Sequence, residues 1–478
     1  MTQSNSVLPE LEYLFHPQAV AVVGISPDKN RFSGGRWLLD SLLSARFPGQ
    51  LYAVGSDNGE YAGLPIYRSL KDIPGRLDHV IVAIPAASTL ELARDAAAKG
   101  AKSIHLFTAG FSELGGDAAK QREQELVDFV RSNGMRLLGP NCMGIYCPAS
   151  RLAFFEDVSM TPGRFGLLTQ SGGNGIKAIS LGPRRGLFFS KAVSYGNGAD
   201  INEIDLLEYF TADPETNVTG MYIEGTRDGR ALLPVIKKAA RQKPLLVYKG
   251  GNTEIGRSAT LSHTGSLAGA GPVWSGLFKQ AGAVEVDDMD EMIDLALLFS
   301  YLPPLTRANT AVLGVGGGAG VLISDVWAKA GLAIPPLSAA VREKLRAIYV
   351  SEAGRSLRNP VDVIPFGKEP VLTRTIEAVS GGDNIDCVLL HLALGFTTEP
   401  LRTVIKEGMT TLAALPGSIK QRILVLIHEI VSLDDRKLAG EIEAICHRVG
   451  LPVFYTAAGT ALALSRYVRY HQTRPPKK

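Results

Sequence analysis

The chain has 478 residues, of which 45% are hydrophobic and 20% charged, and it carries a net charge of +3. This composition suits a soluble protein with apolar cores, long enough for roughly two to four domains, and so small a charge gives no reason to expect a nucleic-acid or membrane-surface partner. The polar opening Met1–Gln18 has no apolar signal-peptide core, no apolar run reaches the ~18 residues of a membrane span, and Cys142, Cys147, Cys387 and Cys446 lack paired metal spacing, so they read as reduced thiols of a cytoplasmic protein without a metal site.

A first α/β domain is expected over residues 1–148. Ala19-Val-Ala-Val-Val23 is a buried parallel strand that runs into a turn at Gly24. A helix from about Gly35 to Ala45 follows, then strands at Leu51–Val54, Val80–Ile84, Ser103–Phe107 and from Arg136, with helices over Thr89–Lys99 and Ala118–Asn133. This alternation predicts a doubly wound parallel sheet with its ligand at the carboxyl ends of the strands. The first turn, Gly24-Ile-Ser-Pro-Asp-Lys-Asn30, is not G-x-G-x-x-G. That argues against a nicotinamide site, although Asp57 has the position of a ribose-binding acid. Lys29, Arg31 and Arg36 suit phosphates, or else form a solvated cluster.

A second α/β domain is expected over 149–303. Gly166-Leu-Leu-Thr-Gln-Ser-Gly-Gly-Asn-Gly175 reads as strand, turn and helix start. Free N–H groups and the helix dipole there would hold an anion at Gln170, Ser171, Gly172 and Gly173, a phosphate cradle without a lysine; an ordinary tight turn has the same pattern. Val218–Tyr222 is a strand ending at Glu224, a carboxylate placed to orient a histidine or to sit at the surface. Lys243–Lys249 is another strand, and it leads into Ile255–Gly269. There His263 stands among Gly256, Ser258, Ala259, Ser262, Thr264, Gly265, Ser266 and Gly269. Such a run buries little and reads as a loop. Its imidazole can attack a phosphoryl group.

After a linker at Tyr301–Leu305, a third α/β domain is expected over 304–466. Ala311-Val-Leu-Gly-Val-Gly-Gly-Gly-Ala-Gly320 repeats the strand, glycine turn and helix plan, so Gly317 and Gly318 form a second candidate phosphate cradle. Later strands lie at Cys387–Leu392, Ile423–Ile427 and Pro452–Tyr455, with His391 and His428 read as structural. The basic stretch 467–478 is expected to be a disordered tail.

The order of these stretches resembles the NDP-forming acyl-CoA synthetase family, relatives of succinyl-CoA synthetase, and in particular the alpha chain of ADP-forming acetyl-CoA synthetase. The resemblance runs from about Leu14 to Tyr467. It rests on the opening VAVVG strand, TAGFSELG (108–115), GPNCMGI (139–145), TQSGGNG (169–175), SYGNGADINEIDLLEYF (194–210), DPET (213–216), YIEGTRDGR (222–230), SHTGSLAG (262–269) and NPVDV (359–363). It implies a Rossmann-like CoA-binding domain followed by two flavodoxin-like, succinyl-CoA synthetase-like α/β domains. It also implies a phosphohistidine relay: acyl-CoA and phosphate give an acyl phosphate, which phosphorylates His263, and the phosphate passes to ADP. By the same resemblance Glu224 holds the histidine and Gln170–Gly173 cradle the phosphoryl group. Gly24, Ser26 and Lys29 of the opening turn, Ile84-Pro85, Thr108-Ala109-Gly110 and Asn141-Cys142 line CoA. The domain holding Gly317 and Gly318 faces the second phosphohistidine station.

The run Val54-Gly-Ser-Asp-Asn58 departs from the family's Asn-Pro-Lys, losing a cation where the nucleotide end of CoA lies. No stretch resembles an ATP-grasp domain. ATP or ADP and Mg²⁺ are therefore expected on a separate beta subunit, in a heterotetramer that acts on a small carboxylic acid or its CoA ester. The acyl pocket is not legible, and Phe154, Phe155 and Tyr195 are its only candidates. The competing readings are a CoA-binding regulatory protein on the same fold, and a dehydrogenase.

Overall fold

In the computed structural model the described residues are 11–28, 33–256, 270–314, 317–349, 356–363 and 370–474. They build three mainly parallel sheets with helices between the strands. The first sheet holds β1 (Ala19–Val23), β2 (Gln50–Val54), β3 (Glu60–Tyr61), β4 (Leu64–Tyr67), β5 (His79–Val82), β6 (Ser103–Leu106) and β7 (Arg136–Leu138), in the order β3-β4-β2-β1-β5-β6-β7. β1 and β5 are buried along their whole length, as expected of strands covered by helices on both faces. The β3–β4 hairpin was not among the expected strands. It extends the edge beside β2.

The second sheet holds β8 (Gly144–Tyr146), β9 (Phe165–Thr169), β10 (Phe189–Ser194), β11 (Val218–Ile223), β12 (Leu245–Lys249) and β13 (Val284–Val286), in the order β13-β12-β11-β9-β10-β8. β8 pairs antiparallel to β10, so the chain leaving β7 passes directly into the edge of the second sheet. A bridge between Leu138 and Ile201 and the buried carboxylate of Asp200 tie the two sheets together. Asp200 accepts from Arg136 Nε at 3.0 Å, Arg131 Nη2 at 2.7 Å and the Leu137 N–H at 2.7 Å. These two sheets form one compact unit, residues 1–180 and 188–289.

The other unit, residues 181–187 and 290–478, holds the third sheet. Its strands are β14 (Thr310–Gly314), β15 (Val361–Asp362), β16 (Cys387–Ala393), β17 (Ile423–His428) and β18 (Val453–Phe454), in the order β15-β14-β16-β17-β18. The helix Met289–Tyr301 belongs almost wholly to this unit, where Arg185 meets Asp290 at 2.8 Å and Asp294 at 2.9 Å. The expectation of a disordered tail over 467–478 is corrected for residues 467–473 by the final helix, Ala457–Thr473, while residues 475–478 lie outside the described residues. Tyr467 is buried, with Tyr470 and His471 around the Phe299 ring, and its hydroxyl donates to the carbonyls of Leu302 and Pro303. The aromatic residues at helical spacing give the basic stretch an apolar face, and that face anchors it.

All four cysteines are buried and unbridged. Among the described residues no cluster of His, Cys, Asp and Glu could hold a metal ion, and no helix is long and apolar enough to cross a membrane.

Candidate functional site

β9 lies at the point where the strand order of its sheet reverses, between β11 and β10, and this is where a doubly wound sheet opens a crevice. The turn after β9 is held by Thr169, whose hydroxyl accepts from the Ser171 N–H at 3.2 Å and donates to the Ser171 carbonyl at 2.9 Å. Ser171 Oγ accepts from the Asn174 N–H at 3.3 Å. The helix Gly172–Arg185 therefore starts at Gly172, and a helix leaves its first N–H groups without intrahelical partners at the positive end of its dipole. A Cβ on Gly172 would stand 2.5 Å from Met143 Cγ, so any larger residue here would have to displace the Met143 side chain.

Gln170 does more than its backbone suggests. Its Oε1 accepts from the N–H of Glu224, at very short range, and from that of Gly225 at 3.1 Å, so the cradle is fastened to the end of β11. Glu224 is buried, and Tyr222 donates its hydroxyl to Glu224 Oε1 at 3.0 Å. Burial, and then the neighbouring carboxylate, push the Tyr222 hydroxyl pKa upward, so it remains a donor. Lys249, 2% exposed, donates from Nζ to the Glu224 carbonyl at 2.8 Å and to the Gly250 carbonyl, with Nζ over the Trp274 ring. Tyr222 and Lys249 were missed in the sequence. A strand ending Tyr-Lys looks like an exposed edge until its partners are known.

A cavity of about 470 Å³ opens against this cradle, lined by Gln170, Ser171, Gly172 and Gly173 on one side and by Ile84, Pro85, Thr108, Ala109, Asn141 and Cys142 on the other. An adjoining cavity of about 610 Å³ shares Ile84 and Pro85 and continues along Gly24, Ser26, Asp57 and Arg68. Gly24 has φ +102, and a Cβ there would meet the Ala83 carbonyl oxygen at 2.3 Å. Arg68 lines the same cavity as Asp57, a cation that residues 54–58 themselves lack. It follows β4, a strand the sequence did not reveal.

The expected motifs interlock. Asn141 N–H donates to the Thr108 carbonyl at 2.9 Å, and Asn197 N–H to the Pro140 carbonyl at 3.0 Å. Glu113 accepts from the Gly110 N–H and from Asn197 Nδ2 at 2.6 Å. Burial works to raise the Glu113 pKa, but these hydrogen bonds hold it below the usual carboxylate range. Gly110 thus braces this loop and lines neither cavity. Burial drives the Cys142 thiol upward, so it serves as an un-ionised wall.

Lys29, Arg31 and His263 lie outside the described residues. Gly317 and Gly318 open the helix Gly317–Lys329 in the other unit. Phe154, Phe155 and Tyr195 line neither cavity. Phe107 and Met143 do, while Phe155 packs on Trp37.

Two family models match, a CoA binding domain over residues 18–148 and a succinyl-CoA ligase like flavodoxin domain over 162–299. The chain is 34% identical over 381 residues to the alpha subunit of ADP-forming acetate–CoA ligase II of Pyrococcus furiosus, covering 79% of this chain and 81% of that one. It is 35% identical to ADP-forming acetate–CoA ligase I of Archaeoglobus fulgidus over 80% of its own length, but spans only 55% of that longer protein. Among solved structures, the dinucleotide-forming acetyl-coenzyme A synthetase 1 of Ca. Korarchaeum cryptofilum, in complex with phosphate and ADP, superposes with a TM-score of 0.78 at 27% identity, covering 98% of this chain and 100% of that one. These family models and relatives show that the chain belongs to the NDP-forming acyl-CoA synthetases, the ADP-forming acid–thiol ligase family, as a chain of the alpha-subunit kind.

Proposed function

We propose that this chain interconverts acyl-CoA, ADP and phosphate with a carboxylic acid, CoA and ATP, together with a second polypeptide. Phosphate displaces CoA from the acyl-CoA, giving an acyl phosphate and the free thiol. A ring nitrogen of His263 then takes the phosphoryl group, breaking its bond to the acyl oxygen and releasing the carboxylate. ADP finally accepts the phosphoryl group from His263. An ATP-grasp beta subunit holds the nucleotide and Mg²⁺, the assembly is a cytoplasmic heterotetramer, and Gly317 and Gly318 serve the second station.

The observation that carries this reading is the Gln170 fastening. It holds a helix start suited to an anion and a buried carboxylate side by side at the inner end of the two adjoining cavities. Phosphoryl transfer asks mainly for positioning and charge stabilisation. Gln170, Ser171, Gly172 and Gly173 supply the stabilisation, and Glu224 supplies the acceptor that fixes one imidazole tautomer so that the other nitrogen can attack. Gly24, Ser26, Lys29, Ile84, Pro85, Thr108, Ala109, Asn141 and Cys142 would hold CoA, and Gly110 would brace them. The two adjoining cavities fit that extended molecule, its thiol end towards the cradle. A dehydrogenase would need the glycine fingerprint that the Gly24 turn lacks, and a CoA sensor would need no cradle.

The test is ³²P-ATP labelling in the presence of the beta subunit. Wild type should gain an acid-labile, base-stable label. His263→Ala should gain none while binding CoA within a few-fold. Equal acid-labile label on both proteins would place the phosphate elsewhere.

A further inference from the structure

The third sheet has a cavity of its own, of about 740 Å³, at the carboxyl ends of β16 and β17. Its walls are mostly apolar, with Leu322, Ile323, Val326, Leu401 and Ile405 prominent. Besides the hydroxyls of Thr397 and Thr456, two sets of polar groups line it. One is the first turn of the helix Gly317–Lys329, where Gly318 and Ala319 line the cavity. The other is His391, His428 and Glu429. His391 is 3% exposed, and among the described residues its Nε2 has no hydrogen-bond partner. The same holds for the buried Glu429 Oε2. The two imidazoles lie 5.7 Å apart, and His428 Nδ1 is 4.0 Å from Glu429 Oε1. Orphaned buried polar atoms are costly unless something fills them. The reading of His391 and His428 as purely structural leaves that cost unanswered.

The strand order β15-β14-β16-β17-β18 is that of doubly wound sheets that hold a mononucleotide at the switch point beside their first strand. β14 to β17 is two strand steps, or about 10 Å. The occupant therefore needs an anionic end for the helix start, a flat apolar body, and a far edge offering N–H donors to a carboxylate and a mixed edge to an imidazole. Burial, and then His428, lower the His391 pKa to about 4, so its ring is neutral, with one donor and one acceptor nitrogen.

We propose that this unit carries a second nucleotide site, which takes a purine nucleoside phosphate with its base against Glu429 and His391 and its phosphate at the start of the helix Gly317–Lys329. Binding does not depend on the phosphohistidine relay. If the relay operates, a bound nucleotide competes for the second cradle and slows it.

Calorimetry with ADP and AMP on the full chain, without the beta subunit, tests this, because the proposed catalytic nucleotide site is then absent. Saturable binding is expected that excess CoA does not displace. Glu429→Gln and Leu401→Trp should each weaken it at least ~10-fold, the loss of one charge-assisted hydrogen bond or of the cavity itself, with CoA affinity unchanged. No saturable binding, displacement by CoA, or affinity untouched in both variants would overturn the proposal. Failure of the relay leaves these readings unaffected.

Discussion

Replacing Gln170 by methionine keeps the volume of the side chain and removes one atom that matters, Oε1. In the structure that oxygen receives two buried N–H groups, those of Glu224 and Gly225. A buried donor left unpaired costs about 1–3 kcal/mol, more than the net worth of a hydrogen bond, because desolvation is no longer compensated. Two donors share one acceptor here, so the expected loss of stability is about 3 kcal/mol. The functional loss should exceed what stability explains. Gln170 joins the helix start proposed to bind phosphate to the strand end that carries Glu224, and a displacement of about 1 Å in such a constellation can cost on the order of 100-fold in rate. Urea unfolding gives the first quantity, and the initial rate of ³²P labelling at saturating CoA gives the second. CoA affinity should hold, since Gln170 touches only the inner end of the cavity. If Gln170→Met unfolds within about 0.5 kcal/mol of wild type and labels at the wild-type rate, the fastening has no mechanical role and the argument for a pre-set cradle fails.

Gly24→Ala should weaken CoA binding at least ~10-fold by calorimetry, because φ +102 is strained for any side chain and the new Cβ would press on the Ala83 carbonyl at 2.3 Å. An alanine variant with normal CoA affinity would move the binding site away from this turn. Asp200→Ala removes the acceptor shared by Leu137 N–H and Arg136, and should destabilise the first unit by about 3–5 kcal/mol, as one-sided loss of a buried ion pair does; a urea midpoint that stays put would show that the two sheets do not depend on it. Acid should weaken the first sheet through its stacked histidines. Burial lowers His79 to about 3 and His105 to about 4, so the folded state holds both neutral, while the unfolded chain takes up protons below about 6.5. Their stability is fully present above pH 6.5 and falls as pH drops towards those folded values, by about 2 kcal/mol per ring at pH 5. His79→Gln should therefore lose about 2 kcal/mol less than wild type between pH 7 and pH 5, and equal losses in urea titrations would remove His79 from the account.

What the sequence displays and what it hides follow from the same physics. Parallel strands buried on both faces must be largely apolar, so β1, β9, β14, β16 and β17 stand out as short apolar runs, with glycine closing β14 and following β1 directly. An anion held by backbone N–H groups needs small residues at a helix start, so Gln170–Gly173 is legible as a candidate cradle even though no side chain there is distinctive. The β3–β4 hairpin is hidden because it is short and carries Pro65 and exposed positions. The final helix is hidden because its basic residues mask the aromatic face of Tyr467.

The deepest omissions are the buried charges. Lys191 is fully buried between Asp213 and Glu215 and lies over the Phe15 and Tyr209 rings. Lys249 is sealed under Trp274, with two carbonyls as partners. A lysine in a sequence is read as solvated, since an unpaired one inside would cost several kcal/mol. Its partners are 22 residues away for Lys191–Asp213 and 25 for Lys249–Glu224, and only the fold brings them together. The glycine-rich turns proposed to meet ligand through their backbone are thus visible in the chain. The groups that hold Glu224 in place become visible only when strands lie side by side, and the rate of phosphoryl transfer should be sensitive to both.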